Sequence, residues 1–145
     1  MKSLALVLIT AAMSSAYVAD NSEHFNDALA VSSLMSGAGY TPVVQITTTS
    51  GLCNYWLLFR SDWYSADDDL AKVSSSIGAV GIVSAETTWS SEGLYIMFED
   101  KSIYIRTADC RQIWDAVQSG EYSDEAIALA MLSVMTIMDQ GLSDL

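Results

Sequence analysis

Two cysteines, one histidine and a run of three aspartates are the side chains of this sequence with the clearest chemical capacity. Cys53 and Cys110 are the only thiols. In an exported chain, which the N-terminal residues indicate, an even pair reads as a disulfide, the alternative being two buried free thiols. Such a bridge would tie the second strand to the start of the helix after the fourth, closing a loop of about fifty-odd residues and stabilising the fold by about 4 kcal/mol. A thiol nucleophile would instead need a base within reach. His24 is the sole histidine, in the first turn of the first predicted helix, where it reads as an exposed helix histidine. One histidine leaves no set for a multi-histidine zinc or iron site. No G-x-S-x-G accompanies it for a serine triad.

The acids divide into turn and helix-end positions. Asp67-Asp68-Asp69 lacks the D-x-[DN]-x-[DN]-G spacing of a calcium loop and suits the dipole-positive start of a helix. Glu99-Asp100 reads as turn chemistry between two β-forming runs. No spacing here establishes the facing carboxylates that glycoside hydrolysis requires. A phosphate-binding glycine loop, a CxxC motif and an N-glycosylation signal are all absent from the sequence. The expectation is therefore no catalytic residue, no cofactor and no metal site.

Interaction chemistry is better represented. Trp63-Tyr64 stand between the first hairpin and the long helix, where loop aromatics either stack on a ligand or partner or close the edge of the core. The last predicted helix, DEAIALAMLSVMTIMD, is apolar nearly all round. Ile127, Met131, Val134 and Met138 make one stripe, which Leu129, Leu132, Met135 and Ile137 extend. Either protein covers it on two sides or it offers a Met-rich face to a partner or a twin subunit. Trp63, Tyr64, Met131, Met135 and Met138 are thus the candidate partner-binding residues.

The elements that must position these groups emerge from periodicity. Asn21 to Met35 carries Phe25, Leu29 and Leu34 at helical intervals and is stopped by Gly37, Gly39 and Pro42. VVQITTTSGLCNYWLLFR reads as a hairpin turning at Ser50-Gly51. That turn sets Val44, Ile46, Cys53, Tyr55 and Leu57 on a core face, with Gln45, Thr47, Asn54, Trp56 and Arg60 opposite. Leu70, Val73, Ile77, Val80 and Ser84 then recur at helical spacing, capped by Ser65 or Asp67. Gly78 and Gly81 weaken that helix by roughly 1 kcal/mol each relative to alanine, a cost that close packing against a neighbour would offset.

GLYIMFEDKSIYIR reads as a second hairpin centred on Asp100-Lys101, with Phe98 opposite Ile103 and Ile96 opposite Ile105. Leu94, Ile96, Phe98, Ile103 and Ile105 share its core face. Tyr95, Met97, Glu99, Tyr104 and Arg106 share the other, whose aromatics call for partial cover. Thr107 is placed to cap a helix ending at Gly120, and Ser123 to cap the last helix, closed by Gly141. The predicted order is α-β-β-α-β-β-α-α, two αββ halves in succession. The expected fold is α+β: an antiparallel four-stranded sheet of two hairpins packed with helices.

The bulk numbers set the compartment and the partners. The chain has 145 residues, room for one domain, with 51% hydrophobic and 17% charged residues and a single proline. MKSLALVLITAAMSSA reads as an export signal: Lys2, an apolar stretch, then small residues at Ser14-Ser15-Ala16. The expected division is a signal peptide over residues 1–16 and one α+β domain over 17–145. Cleavage removes one of six basic residues and deepens a formal net charge of −12. Nucleic acid and anionic membrane surfaces, which need basic patches, are poor partners for such a chain. No later run is long enough to span a bilayer.

The stretch IGAVGIVSAETTWSSEGLYIMFEDKSIYIRTADCRQIWDAV, followed by a helix of the LAMLSVMTI type, resembles small exported proteins of uncharacterised function in methanogenic archaea. The resemblance runs from about residue 73 to 138. It implies a secreted or extracytoplasmic location and an archaeal source, and transfers no catalytic residue. Together these readings favour a non-enzymatic exported domain that binds or assembles with a protein or cell-envelope component, a homo-oligomer included. A small hydrolase using paired carboxylates and a small-ligand carrier are the alternatives.

Overall fold

The computed structural model describes residues 22–49, 51–59, 69–87 and 90–144. Helix α1 (Ser22–Gly37) leads into strands β1 (Val43–Thr49) and β2 (Leu52–Leu58). Helix α2 (Asp69–Glu86) precedes β3 (Ser91–Met97) and β4 (Ser102–Arg106). Helices α3 (Thr107–Ser119) and α4 (Asp124–Val134), strand β5 (Thr136–Met138) and a short 3-10 turn at Leu142–Asp144 complete the order. The class is α+β, as the periodicities require. The sheet, however, has five strands in the order β1-β2-β3-β4-β5 and is mixed, because β2 and β3 run parallel.

The parallel pair corrects the expected all-antiparallel sheet, and its cause is a matter of length. Helix α2 has 18 residues and so spans about 27 Å, against about 23 Å for a seven-residue strand. A helix that long carries the chain back to the end at which β2 began, so β3 starts beside it and points the same way. The fifth strand corrects the last helix. Ser123 caps α4 as expected, its Oγ accepting from the Ala126 N–H at 3.1 Å. The helix stops at Val134, Met135 is extended, and Thr136–Met138 pair antiparallel with β4. β-branched Thr136 and Ile137 suit that edge better than a further helical turn.

The first hairpin has the expected register: Val44 faces Leu57, Ile46 faces Tyr55 and Thr48 faces Cys53. The second turns one residue earlier than expected, which shifts its pairing by two. Ile96 faces Ile103 and Leu94 faces Ile105, with the Phe98 N–H bonded to the Lys101 carbonyl oxygen at 2.8 Å across a turn centred on Glu99-Asp100. An even shift leaves every side chain on its assigned face. The core therefore assembles as expected on one side of the sheet. Tyr55, Leu57, Leu94, Ile96 and Ile105 pack under Val31 and Met35 of α1, Val73, Ile77 and Val80 of α2, and Cys110 and Ile113 of α3. Leu70, assigned to the α2 stripe, is exposed, and so are Leu29 and Leu34, assigned to the first helix, whose inner face is instead Ala28, Val31 and Met35.

Two helix ends refine the picture. Arg106, not Thr107, occupies the N-cap of α3, with no side-chain cap bond; Thr107 is the first helical residue. Its buried Oγ1 has no partner among the described residues. Arg106 instead grips Asp109 through Nε–Oδ2 at 2.9 Å and Nη2–Oδ1 at 3.1 Å. Gly120 ends α3 at φ +68°, as its position predicted.

The second sheet face is covered as its aromatics required: Trp56, Leu58 and Met97 are buried there. Trp56 stacks on Tyr95 with ring centroids 4.2 Å apart, and its Nε1–H donates to Thr47 Oγ1 at 2.9 Å. Among the described residues no helix is long and apolar enough to cross a membrane.

Gly141 seats the C-terminal turn on the β3–β4 turn. Leu142 N–H donates to the Phe98 carbonyl at 2.7 Å and Ser143 N–H to the Glu99 carbonyl at 2.9 Å. A Cβ on Gly141 would collide with Phe98 O, Lys101 N and Glu99 C, all backbone atoms that cannot swing aside. Gly141→Ala is expected to weaken this docking by about 1–3 kcal/mol. In hydrogen exchange, the Leu142 and Ser143 amides should lose protection roughly tenfold or more while β2 and β3 keep theirs. Unchanged protection at those two amides would refute the account.

Candidate functional site

The structure settles where most of the candidate residues lie. Trp63 and Tyr64, the proposed helix-capping residues Ser65 and Asp67, Arg60 and the N-terminal segment 1–16 lie outside the described residues. Of the three methionines, Met131 is only 4% exposed and belongs to the core, while Met135 packs against that core. Met138 is half-buried in β5 beside Ser102 of β4. The expected Met-rich face is thus turned inward, because the helix ends at Val134 and the next residues turn into the sheet.

The outward side of the same segment carries different residues. Leu129 is 67% exposed and Leu132 55%, one helical turn apart on α4, and Ile137 on β5 is 58% exposed. Val117 and Tyr122, at the end of α3 and just after it, are exposed as well. From Gln112 to the C-terminus the sequence holds no lysine, arginine or histidine. It does hold Asp115, Glu121, Asp124, Glu125, Asp139 and Asp144, all exposed. This apolar helix face lies in a segment whose charged residues are all acids.

Two lysines gather at the start of α2. Lys101 Nζ donates to Asp69 Oδ2 at 2.7 Å, and Lys72 Nζ lies 3.5 Å from Asp69 Oδ1. Both ammonium groups lie near the Phe98 ring, at 5.3 Å and 5.9 Å from its centroid. This cluster ties the start of α2 to the β3–β4 turn. The hydrogen bond to Asp69 holds the Lys101 ammonium above its usual range. Asp69 and Asp109 are each paired with a cation, Asp69 with Lys101 and Lys72 and Asp109 with Arg106.

The cysteines do not form the expected bridge. Cys53 and Cys110 are free, buried thiols. β2 delivers Cys53 to the α1 side of the sheet, and α3 holds Cys110 against α2. Burial, reinforced by neighbouring Asp109, pushes the Cys110 thiol from 9.0 up to about 12. Tyr55 lies between the two, its phenol raised first by burial and then by Asp27 and Cys53.

Cys53 has a different neighbour. Its Sγ lies 3.4 Å from Nε2 of His24, and Thr48 Oγ1 lies 3.4 Å from each. His24, expected on an exposed helix surface, is only 8% exposed, because α1 lays its first turn over the β1–β2 hairpin. The thiol's missing base is therefore present. Hairpin register alone places Thr48 opposite Cys53, but a residue 29 positions upstream joins them only through helix docking. Among the described residues no group of three or more histidine, cysteine or acidic side chains is placed to hold a metal ion.

Compared with known proteins, the chain matches no family model, no curated protein and no solved structure, so a functional reading rests on this geometry.

Proposed function

We propose that this is an exported binding or assembly module that docks a cationic, amphipathic protein segment on the outer face of α4 and the β5 edge. The observation that carries the reading is the exposure of Leu129 and Leu132 on a helix whose one fully buried side chain is Met131. Covering a leucine fully is worth about 1.5–3 kcal/mol, which two neighbouring leucines can supply to an apolar ridge. The acids from Asp115 to Asp144 supply the complement: lysines or arginines flanking that ridge would be steered in and held at the rim. A second copy would bring its own six acids against these and be repelled. The export signal read at residues 1–16 supports an extracytoplasmic setting.

The test pairs oligomeric state with a designed probe. The mature chain is expected to run as a monomer in light scattering. It should bind a helical Leu/Lys model peptide, and bind a Leu/Glu peptide of the same length far less. Leu129→Asp with Leu132→Asp should weaken Leu/Lys binding about tenfold or more, and added salt should weaken it in the wild type. A concentration-dependent dimer abolished by the double variant would replace this reading with self-assembly. Equal affinity of the double variant for the peptide would end it.

A further inference from the structure

We propose that Cys53, with His24 and Thr48, is a peroxide-reactive thiol site, independent of the docking face on α4. Three features on three elements converge there: the Cys53 thiol at the start of β2, the His24 imidazole from the first turn of α1 and the Thr48 hydroxyl from β1. Each pair of polar atoms is 3.4 Å apart. This is the reach a nucleophile needs to its base, with a hydroxyl placed to donate to the sulfur as charge develops on it. The backbone is also irregular at this point. The β2–β3 register steps from Cys53–Ser91 to Asn54–Gly93, leaving Glu92 as an extra residue beside the cysteine. Bulges of this kind re-aim side chains and concentrate beside active sites.

Burial chooses the class of electrophile. Cys53 is 3% exposed and His24 8%. A peptide carbonyl or a bulky disulfide would not reach the sulfur. The cover is nonetheless thin, since Thr48 and Leu52 on either side of the hairpin turn are exposed. A small neutral hydroperoxide fits that access. In the step, His24 Nε2 takes the thiol proton as sulfur attacks one peroxide oxygen. The S–O bond forms and the O–O bond breaks, and the leaving hydroxide takes the proton from the imidazolium and departs as water. Cys53 is oxidised to a sulfenic acid and the peroxide is reduced. Cys110 has no imidazole beside it, since the sequence's one histidine is at Cys53, and its raised thiol provides the internal reference.

The experiment treats the full chain with hydrogen peroxide at neutral pH and quenches with catalase. The chain is then unfolded in dimedone, and each cysteine peptide is quantified by mass spectrometry. Cys53 is expected to oxidise about tenfold or more faster than Cys110, and faster than the same cysteine in the chain unfolded beforehand. His24→Gln should slow Cys53 about tenfold and Thr48→Val severalfold, with Cys110 unchanged. Should His24→Gln not fold, the comparison of Cys53 in folded and unfolded wild type decides alone. A merely buried thiol reacts more slowly folded than unfolded, and loosening its surroundings by His24→Gln would speed it. Either result overturns the proposal.

Discussion

Raising the pH from 9 towards 12 is expected to destabilise this protein, with the Cys110 thiol as one of the main contributors. Buried against α2, that thiol is held in its protonated form up to about 12, against 9.0 for an ordinary one. Above pH 9 the unfolded chain therefore sheds this proton while the folded chain keeps it. The unfolded state then binds fewer protons, so stability falls as pH rises. The stabilisation is complete below pH 9 and is lost progressively until the folded thiol itself ionises. A difference of this size is worth about 4 kcal/mol, a large part of the roughly 5–15 kcal/mol that holds a typical domain together.

Tyr55 acts with the same sign from pH 10 upward, because burial also raises its phenol. Denaturant titrations at several pH values give the check. Cys110→Ala is expected to lower stability near neutrality, since it removes a buried side chain. Its stability should then fall less steeply between pH 9 and 11, by about 1.4 kcal/mol per pH unit. Parallel curves for the variant and wild type would show that the thiol does not carry the effect.

Two glycines of α2 are expected to respond to the same substitution with opposite sign. Gly81 sits where α3 crosses: a Cβ there would lie 2.9 Å from the Cys110 carbonyl oxygen and 2.9 Å from Trp114 Cβ. Neither atom is the free end of a flexible side chain. Gly78, almost one turn earlier, would place its Cβ an ordinary 3.5 Å from the Trp114 ring. Alanine gains about 1 kcal/mol of helix propensity at either position. At position 78 nothing opposes that gain, so Gly78→Ala should stabilise by up to about 1 kcal/mol. At position 81, parting the two helices costs about 1–3 kcal/mol and more than cancels it. Gly81→Ala should therefore be the less stable of the two by about 1–3 kcal/mol in denaturant midpoints. Equal effects would mean that the α2–α3 crossing does not depend on Gly81. The close packing expected of these glycines from their cost to the helix is thus located at one of them.

The site was far less legible than the fold. Alternation along Leu94, Ile96, Ile103 and Ile105 survives an error of two residues in pairing, because side-chain direction repeats every second residue. Face assignments were therefore secure while the turn was misplaced. Nothing comparable protects a long-range contact. His24 reads as solvent-facing along α1, and its place beside Cys53 depends on how that helix lies on the hairpin. The cysteines mislead in the opposite direction: their number suggested a bridge, while the fold sends one to α1 and the other to α2. In the last segment the stripe read at Ile127, Met131 and Val134 is the face that packs inward, while the apolar residues that extended it on the other sides stay exposed. Met131 went in, and Leu129 and Leu132 stayed out.

From residue types and spacing alone, this chain was bound to be an acidic α+β protein with two hairpins and a helix-covered core. Those features depend on periods of 2 and 3.6 and on glycine, serine and proline at element ends, all local properties. Tertiary structure decided the rest: the parallel β2–β3 pair, the fifth strand, the separation of the thiols, the meeting of His24 with Cys53 and the outward leucines of α4. Each of these is a choice among docking arrangements that local pattern leaves equal. What separates them is the free energy of burying one face rather than another, which exists only once the elements are packed together.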